Sequence, residues 1–457
     1  MQGANKHPLW WDLLPPQPTR PTINGDIETD IAIVGGGYTG LWTAYYLQQL
    51  DPSLSITVID ANTIGFGASS RNGGWASALF PVSIGKLTSR FGGTAALAMQ
   101  QTMFNNLDDI EQVIANEQFD CDWNRGGTLA VARSDVQAQR AREEVSTMHE
   151  WGFDDQYYRL LSASEVLQQV NMTNVQAGSY TPYCAAIHPA KLVHALANCV
   201  EHRGATLYEH SPATSITSHN VYTAHGTIKA KYIMRATEGF TQSLEQHERQ
   251  LMPLYSLMLA TQPLPDSTWN EIGLRKRETF TDYRNLIIYG QRTADNRLAF
   301  GGRGARYHFG STIKPEFDQV HDVHEMLHQT LIELFPIVAD ATITHTWGGP
   351  LGVARDWMPS VGFDYRTGLA WAGGYVGDGV STSHLAGKTV AHLITGQPHP
   401  VTTLPWVNYQ NKQWEPEPLR WIGANLGLVA AKYADSVEGK TGKPSWLSGL
   451  VGKLTGH

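Results

Sequence analysis

The sequence predicts an α/β fold in which a domain built on a largely parallel sheet is interrupted by an α+β domain with an antiparallel sheet. Three observations support this prediction. A strand, a glycine turn, a helix and a second strand follow one another near residue 30. A second regular block begins at His188, and a last glycine turn before a helix begins at Gly374. Because similar pieces recur at three separated places, we expect one discontinuous domain that encloses another.

The first of these blocks carries a dinucleotide-binding pattern. An apolar strand at 30–34 enters a turn that contains Gly35, Gly37 and Gly40, and a second strand ends at Asp60. In this Rossmann-like pattern the first glycine permits the tight turn, the second lets a pyrophosphate approach the backbone, and the third lets helix and strand pack closely. The helix N-terminus then favours phosphate, and an acid some twenty residues on can bind a ribose hydroxyl.

The remaining elements follow in order along the chain. Prolines in residues 1–28 predict an extended arm, and residues 91–185 predict helices with short strands. Pro189 starts a helix that Gly204 ends, since apolar residues repeat between them at helical spacing. Residues 246–364 are rich in strand patterns. After the last glycine turn, a helix ends at Gly396.

These elements define the predicted domains. The bounds are an N-terminal arm at 1–28, a discontinuous nucleotide-binding domain at 29–90, 186–245 and 365–400, a substrate domain at 91–185 and 246–364, and a C-terminal extension at 401–457.

Composition excludes several classes of protein. The chain has 457 residues, 42% of them hydrophobic and 17% charged, so it can bury a large core and is not disordered. A net charge of −8 gives no electrostatic reason to bind nucleic acid or anionic membrane. No apolar run reaches the length of a membrane span, no signal peptide is visible, and the three cysteines form no C-x-x-C pair. We therefore expect a cytoplasmic protein; the oligomeric state stays open.

Further motifs identify a family. They are 69–74 (Ser-Ser-Arg-Asn-Gly-Gly), 188–192 (His-Pro-Ala-Lys-Leu), 236–239 (Ala-Thr-Glu-Gly), 300–303 (Phe-Gly-Gly-Arg), 347–352 (Trp-Gly-Gly-Pro-Leu-Gly), 356–359 (Asp-Trp-Met-Pro) and 374–379 (Gly-Tyr-Val-Gly-Asp-Gly). Over residues 28–400 the chain resembles the D-amino-acid-oxidase-like superfamily of FAD-dependent oxidoreductases, and within it the γ-glutamylputrescine-oxidase-like amine oxidoreductases. The resemblance implies a Rossmann-like FAD-binding domain of the glutathione-reductase/hydroxybenzoate-hydroxylase type.

The same resemblance implies which residues hold FAD. The turn at 35–40 takes the pyrophosphate, Asp60 the ribose, and the segment 69–74 lies along the pyrophosphate and the isoalloxazine ring. Ala213 offers backbone contacts to adenine, Gly239 lies in a third contact turn, and 374–380 forms a C-terminal loop at the flavin. The residues assigned to FAD are Gly35, Gly37, Tyr38, Thr39, Gly40, Asp60, Ala61, Ser69, Ser70, Arg71, Asn72, Gly73, Gly74, Ala213, Gly239, Gly374, Gly377, Asp378, Gly379 and Val380.

Two departures from the family pattern matter. Relatives with covalent flavin carry His or Cys near 70–71, or Cys near the strand before 356–359. This chain has neither, so we expect non-covalent FAD. The C-terminal loop often carries His where this chain has Asp378. We expect Asp378 to cap the following helix, since Asp favours that position.

Several residues are candidates for the substrate site. Arg303 ends a strand and either binds a substrate carboxylate or serves a structural role. Trp75, Tyr289, Tyr255 and Trp347 lie beside family motifs and are candidates to line the pocket, although each type is more often a core residue. We assign Arg303, Trp75 and Tyr289 to the catalytic site.

Two acidic motifs have simpler interpretations. Glu238 could meet an ammonium group, but a solvent-facing turn acid is the safer expectation. The motif His324-Glu325-x-x-His328 matches a zinc-hydrolase signature. Because apolar residues fill the other stripe of this predicted helix, we place all three polar residues on a solvated face and expect no metal site.

The sequence therefore predicts an FAD-dependent enzyme that oxidises the C–N bond of a small-molecule amine or amino acid, with oxygen as the expected acceptor. Two alternatives stay open. An FAD dehydrogenase of a hydroxy acid would need a base, for which His188 and His384 are candidates. A flavoprotein without enzymatic activity is the other.

Overall fold

The computed structural model describes residues 3–447 and confirms the predicted α/β class. The helices are α1 (Leu9–Asp12), α2 (Tyr38–Leu50), α3 (Ile84–Phe91), α4 (Gly93–Asn116), α5 (Asp135–Glu150), α6 (Ala163–Leu167), α7 (Pro189–His202), α8 (Asp266–Ile272), α9 (His321–Leu334), α10 (Gly379–Thr395) and α11 (Leu419–Thr441). Residues 448–457 of the predicted C-terminal extension lie outside the described residues.

The strands form two eight-stranded sheets and one small pair. They are β1 (Ile27–Val34), β2 (Ile56–Ile59), β3 (Trp75–Ser77), β4 (Thr128–Ala132), β5 (Arg159–Ser162), β6 (Ala177–Thr181), β7 (Cys184–Ala186), β8 (Thr206–Tyr208), β9 (Ala213–Thr217), β10 (Asn220–Thr223), β11 (Gly226–Arg235), β12 (Leu251–Thr261), β13 (Thr279–Asp282), β14 (Ile288–Arg292), β15 (Leu298–Gly302), β16 (Ile343–Ala354), β17 (Ser360–Asp364) and β18 (Leu369–Gly373).

The first sheet has the order β17-β18-β11-β1-β2-β8, with β10 and β9 added beside β11. β18, β11, β1, β2 and β8 are parallel to one another. Helices α2 and α10 pack together against this sheet. Gly387 of α10 makes that possible, because a Cβ there would lie 2.6 Å from Cβ of Trp42 and 2.7 Å from the amide nitrogen of Thr43. The sheet thus joins segments from distant parts of the chain.

The second sheet has the order β16-β12-β15-β14-β13-β4-β6-β5 and is antiparallel except for the β13–β4 pair. Helix α9 packs against β12 and β15 of this sheet, and Leu257, Phe300 and Leu327 are fully buried in the core between them. The helix that we predicted from Pro189 is α7. It begins with that proline, and the His188 Nδ1 atom accepts a hydrogen bond from the Lys191 amide at 3.1 Å. The predicted helix is therefore confirmed, and it begins at Pro189 as predicted.

The structure corrects two expectations about segment boundaries. The arm at 1–28 is not extended throughout, because α1 forms within it and buries Leu9 and Trp10. β17 pairs with β18 in the first sheet, so residues 360–364 do not belong with the second sheet as the boundary at 364 predicts. The rest of the domain division stays a prediction. Among residues 3–447, no helix combines the length and apolar character that crossing a membrane requires.

Candidate active site

A long cavity runs along the carboxyl ends of β1 and β2 and encloses about 1200 Å³, including the part open to solvent. The N-termini of α2 and α10 both border it. The N-cap residues Gly37 and Asp378 make no side-chain cap bond to their own helices, although the Tyr38 amide of α2 donates to the Ser69 hydroxyl at 2.9 Å. Two helix N-termini beside one cavity favour an anionic ligand.

The glycine turn explains how the backbone comes so close to this cavity. Gly35 has a φ of +116°, and a Cβ there would overlap the carbonyl oxygen of Ala236. A Cβ on Gly40 would overlap the Gly35 carbonyl, so α2 could not pack on β1. Gly37 lines the cavity, where a Cβ would lie 2.8 Å from the Ser69 hydroxyl oxygen. Gly35 and Gly40 therefore permit the tight turn and the close packing that the motif predicts, and the pyrophosphate contact at Gly37 stays a prediction.

Asp60 directly follows β2 and lines the cavity. Its carboxylate accepts hydrogen bonds from the amides of Gly36 at 2.9 Å and Asn62 at 2.8 Å. Burial raises the pKa of Asp60 to about 6, although both amide donors oppose the shift. A further donor, such as a ribose hydroxyl, would therefore stabilise the ionised carboxylate.

Three tryptophans donate hydrogen bonds to residues 70–72. The indole N–H of Trp10 donates to the Asn72 carbonyl at 2.9 Å, and that of Trp11 donates to the Ser70 hydroxyl at 2.8 Å. Trp347 donates to the Arg71 carbonyl at 2.9 Å. The N-terminal arm therefore holds the backbone that we assign to the flavin, a role that its proline-rich sequence does not reveal.

A second cavity of about 1180 Å³, again including open solvent, meets the first one. The two share Ala68, Asn72, Leu351, Gly377 and Val380. The three residues that we assigned to catalysis all line this second cavity: Arg303, Trp75 and Tyr289. The two cavities are therefore adjacent, so a ligand in one can contact a ligand in the other.

Arg303 holds its position through protein contacts. Its Nη2 donates to the Val376 carbonyl at 2.6 Å, and its guanidinium lies 5.2 Å from the ring centre of Trp357. Burial lowers the pKa of Arg303 from its usual value, and nearby Asp378 opposes that shift. Tyr289 shares a 2.8 Å hydrogen bond with the Ser256 hydroxyl, and its ring lies edge-on to Trp75. The guanidinium keeps further donors for a ligand.

The expectation that the Asp378 side chain caps α10 is wrong. Asp378 stands at the N-cap position, but its carboxylate makes no cap bond and lines the second cavity. Burial raises the pKa of Asp378 to about 6, while the charge of Arg303 lowers it. A cation and an anion therefore lie together in this cavity.

The expectation that Glu238 faces solvent is also wrong. Its carboxylate accepts hydrogen bonds from the amides of Gly374 at 2.9 Å and Tyr375 at 3.2 Å. Burial raises the pKa of Glu238 to about 7. Glu238 therefore ties the turn before Gly239 to the C-terminal loop, and it also lines the first cavity.

The predicted FAD residues fall into three groups. Those that line the first cavity are Gly35, Gly37, Tyr38, Thr39, Asp60, Ala61, Ser69, Asn72, Ala213, Gly239, Gly377, Gly379 and Val380. Those that line only the second are Arg71, Gly73 and Asp378. Those that line neither are Gly40, Ser70, Gly74 and Gly374, which pack behind the walls.

The sequence did not identify several wall residues. Asn62, Phe66, Ser211, Thr237, Phe240 and Tyr375 line the first cavity, and Ser256, Thr281 and Leu351 line the second. Gln291 supports the wall, since its side-chain amide donates to the Gly73 carbonyl at 2.6 Å and to that of Gly74 at 3.0 Å. Thr237, Leu351 and Tyr375 lie within the quoted family motifs, although none was assigned to the site. The others have no motif signal, because they belong to strands and turns far from one another in sequence.

Other candidates lie elsewhere. Tyr255 and Trp347 are buried and line neither cavity, so both are core residues. The prediction for His324 is wrong: it is buried, and its Nε2 pairs with the Trp347 carbonyl at 3.2 Å, because α9 packs against β12 near the neighbouring strand β16. Within residues 3–447 no group of three or more metal-ligating side chains is arranged to hold a metal ion.

The two candidate bases of the hydroxy-acid alternative are both outside the second cavity. His384 is fully buried, with its ring nitrogens 2.6 Å from the Tyr46 hydroxyl and 2.6 Å from the Asn106 side-chain oxygen. His188 is buried beside Trp10 and uses one ring nitrogen to cap α7. Among the described residues that line either of the two cavities there is no histidine and no cysteine.

The first cavity fits FAD by its own features. The N-terminus of α2 and Gly37 can receive a pyrophosphate, Asp60 can receive a ribose, and the N-terminus of α10 adds a second positive helix end to the wall.

Comparisons with known proteins give the same cofactor. A family model described as "FAD dependent oxidoreductase" matches residues 30–393. The chain is 30% identical to gamma-glutamylputrescine oxidoreductase of Escherichia coli (strain K12), covering 82% of this chain and 85% of that protein. It is also 30% identical to a probable oxidoreductase, OrdL, of Rhizobium meliloti (strain 1021), covering 85% and 88%. The crystal structure of glycine oxidase from Geobacillus kaustophilus shares the fold, with a TM-score of 0.71 at 19% identity over 84% of this chain and 99% of that one.

Proposed function

The chain belongs to the family of FAD-dependent oxidoreductases, and from that premise we propose that it oxidises the carbon–nitrogen bond of an amine that also carries a carboxylate. Bound FAD would supply the electron acceptor for the hydride on the carbon that bears the nitrogen. The residues that line the first cavity would hold FAD. The N-terminus of α2 would favour its anionic pyrophosphate, and the N-terminus of α10 would favour its reducible flavin.

One observation carries this proposal: Arg303 and Asp378 place opposite charges in the cavity that meets the FAD cavity. The planar guanidinium of Arg303 can bind a carboxylate through two parallel hydrogen bonds. The Asp378 carboxylate attracts a substrate ammonium and accepts its proton, which leaves the neutral amine that oxidation requires. Trp75 and Tyr289 give the cavity aromatic walls that exclude water and orient the substrate.

The overall reaction would convert the amine and its acceptor into an imine and the reduced acceptor. The imine then takes up water and yields an aldehyde or a keto acid together with an amine or ammonia. Oxygen is the proposed final acceptor, with hydrogen peroxide as its product. A γ-glutamylated amine matches both charges, since it has an oxidisable amine at one end and an α-amino acid at the other. The name of the Escherichia coli relative supports this substrate class.

Oxidation of a hydroxy acid is less well supported. Such a reaction needs a base to take the hydroxyl proton. Neither His188 nor His384 lines the second cavity, and the walls that the structure describes contain no other histidine.

Substituting Arg303→Lys tests the proposal. Lysine keeps the charge but loses the planar fork, so we expect KM to rise about 10-fold or more for substrates with a carboxylate, while simple alkylamines keep theirs. Arg292→Lys is the matched control, because Arg292 lies on β14 outside both cavities. Equal effects of Arg303→Lys on both substrate classes would contradict the proposal.

A further inference from the structure

The helix α11 presents an apolar stripe to solvent. Its members repeat with the alternating three- and four-residue spacing of a coiled-coil seam, and they are 43–62% exposed: Leu419, Ile422, Leu426, Val429 and Tyr433. Trp421, also 43% exposed, extends the stripe on one side. A monomer rarely exposes so many large apolar side chains in one row.

The opposite face of the same helix is firmly attached to the protein. Ala431 and Ala434 are buried there, and the Asp435 carboxylate accepts hydrogen bonds from the amides of Asn285 at 2.7 Å and Leu286 at 2.9 Å. The stripe therefore stands on a fixed support. It is not a frayed end whose apolar residues could turn inward.

We propose that this stripe packs against the same stripe of a second copy of the chain. The stripe carries no charged side chain, so two copies can meet across a two-fold axis without like-charge repulsion. Gly423 lies beside the stripe, four residues after Leu419, and a Cβ there would meet open space, so no side chain at this position obstructs a second helix.

The exposed apolar area of the stripe is sufficient for a dimer interface at the lower end of the size range of stable interfaces. If each large side chain offers roughly 200 Å² when fully exposed, the six apolar residues leave on the order of 600 Å² open. A stable interface buries about 600–1000 Å² on each partner. A bilayer is a poorer occupant, because the chain has a net charge of −8 and a lipid surface does not select for a seam spacing.

Light scattering on the FAD-loaded full chain tests the proposal. We expect a mass of twice 50.4 kDa at micromolar concentration, and Leu426→Glu should reduce it to the monomer value. Leu167→Glu is the matched control, since Leu167 is a 46% exposed leucine at the end of α6 and should leave the dimer intact. A monomeric wild-type protein would overturn the proposal, and so would a dimer that Leu426→Glu leaves unchanged.

A second readout does not depend on destabilising the helix. Leu426 lies at the middle of the stripe, so a two-fold axis there brings it close to its own copy. Leu426→Cys should form an intermolecular disulfide under mild oxidation, which needs Cα atoms about 4.4–6.8 Å apart. Leu167→Cys should give none. If the wild-type protein is monomeric and sediments with phosphatidylcholine vesicles, the stripe contacts membranes and the dimer proposal is refuted.

Discussion

Substituting Gly37→Val perturbs the wall of the FAD cavity beside the glycine turn. Gly37 has φ −89° and ψ −173°, an extended conformation that valine adopts readily, so the effect is steric. The new Cβ would lie 2.8 Å from the Ser69 hydroxyl oxygen, which accepts the Tyr38 amide at 2.9 Å. The two γ-methyl groups would extend further into the cavity.

The magnitude follows from two contributions. Overpacking costs about 1–3 kcal/mol, and losing the Tyr38–Ser69 hydrogen bond costs about 0.5–1.5 kcal/mol. Together they weaken FAD binding by about 1.5–4.5 kcal/mol, which raises Kd roughly 10- to 1600-fold. In the assay, the apoprotein is titrated with FAD, and the quenching of flavin fluorescence reports the bound fraction from which Kd is obtained.

Two controls isolate the cause. Gly439→Val adds the same side chain to α11 at a position where a Cβ meets nothing within 4 Å, and it should leave Kd unchanged. Gly37→Ala adds only the Cβ, and it should give an intermediate Kd. A wild-type Kd in Gly37→Val would mean that the pyrophosphate does not pass this glycine, and would refute the assignment of the cavity.

Three further predictions concern the cofactor and the substrate charge. Asp60→Ala should weaken FAD binding by about 1–3 kcal/mol in the same titration, since a charged hydrogen bond to the ribose is lost; an unchanged Kd would contradict the ribose contact. Acid precipitation should release all the flavin into the supernatant, because no histidine or cysteine lines the described cavity walls, and flavin in the pellet would disprove non-covalent binding. The pKa of Asp378 is raised to about 6, so its carboxylate is protonated below that pH and kcat/KM should fall as pH falls through about 6. Asp378→Asn should remove this acid limb, and a limb that persists would assign it to another group.

Local patterns were sufficient for the nucleotide-binding half of the fold. The glycines at 35, 37 and 40 and the acid at 60 act within one βαβ unit, where spacing along the chain determines spacing in the fold. The helix after Pro189 was predictable for the same reason, because its start signal and its apolar repeat are contiguous.

Other residues at the site depend on contacts that sequence spacing does not encode. Trp10 binds a carbonyl 62 positions away, and Glu238 binds amides 136 and 137 positions away. Asp378 has the residue type and position of a helix cap, but its carboxylate instead lies near the charge of Arg303, 75 positions earlier in the chain. The residue type of His324 predicts a polar face, but the side chain is buried, and its hydrogen bond with the Trp347 carbonyl offsets the cost of burying the imidazole. In each case a distant partner decides the environment of the side chain.

Anaerobic reduction of the bound flavin tests the central claim most directly. Purified protein with its flavin oxidised is mixed without oxygen with a γ-glutamylated diamine, with the matching γ-glutamylated amino alcohol whose terminal amine is replaced by hydroxyl, and with a simple 2-hydroxy acid. We predict that the flavin absorbance bleaches with the amine and with neither of the other two. Bleaching by the hydroxy acid, with every amine inert, would contradict the assignment of this chain as an amine oxidoreductase.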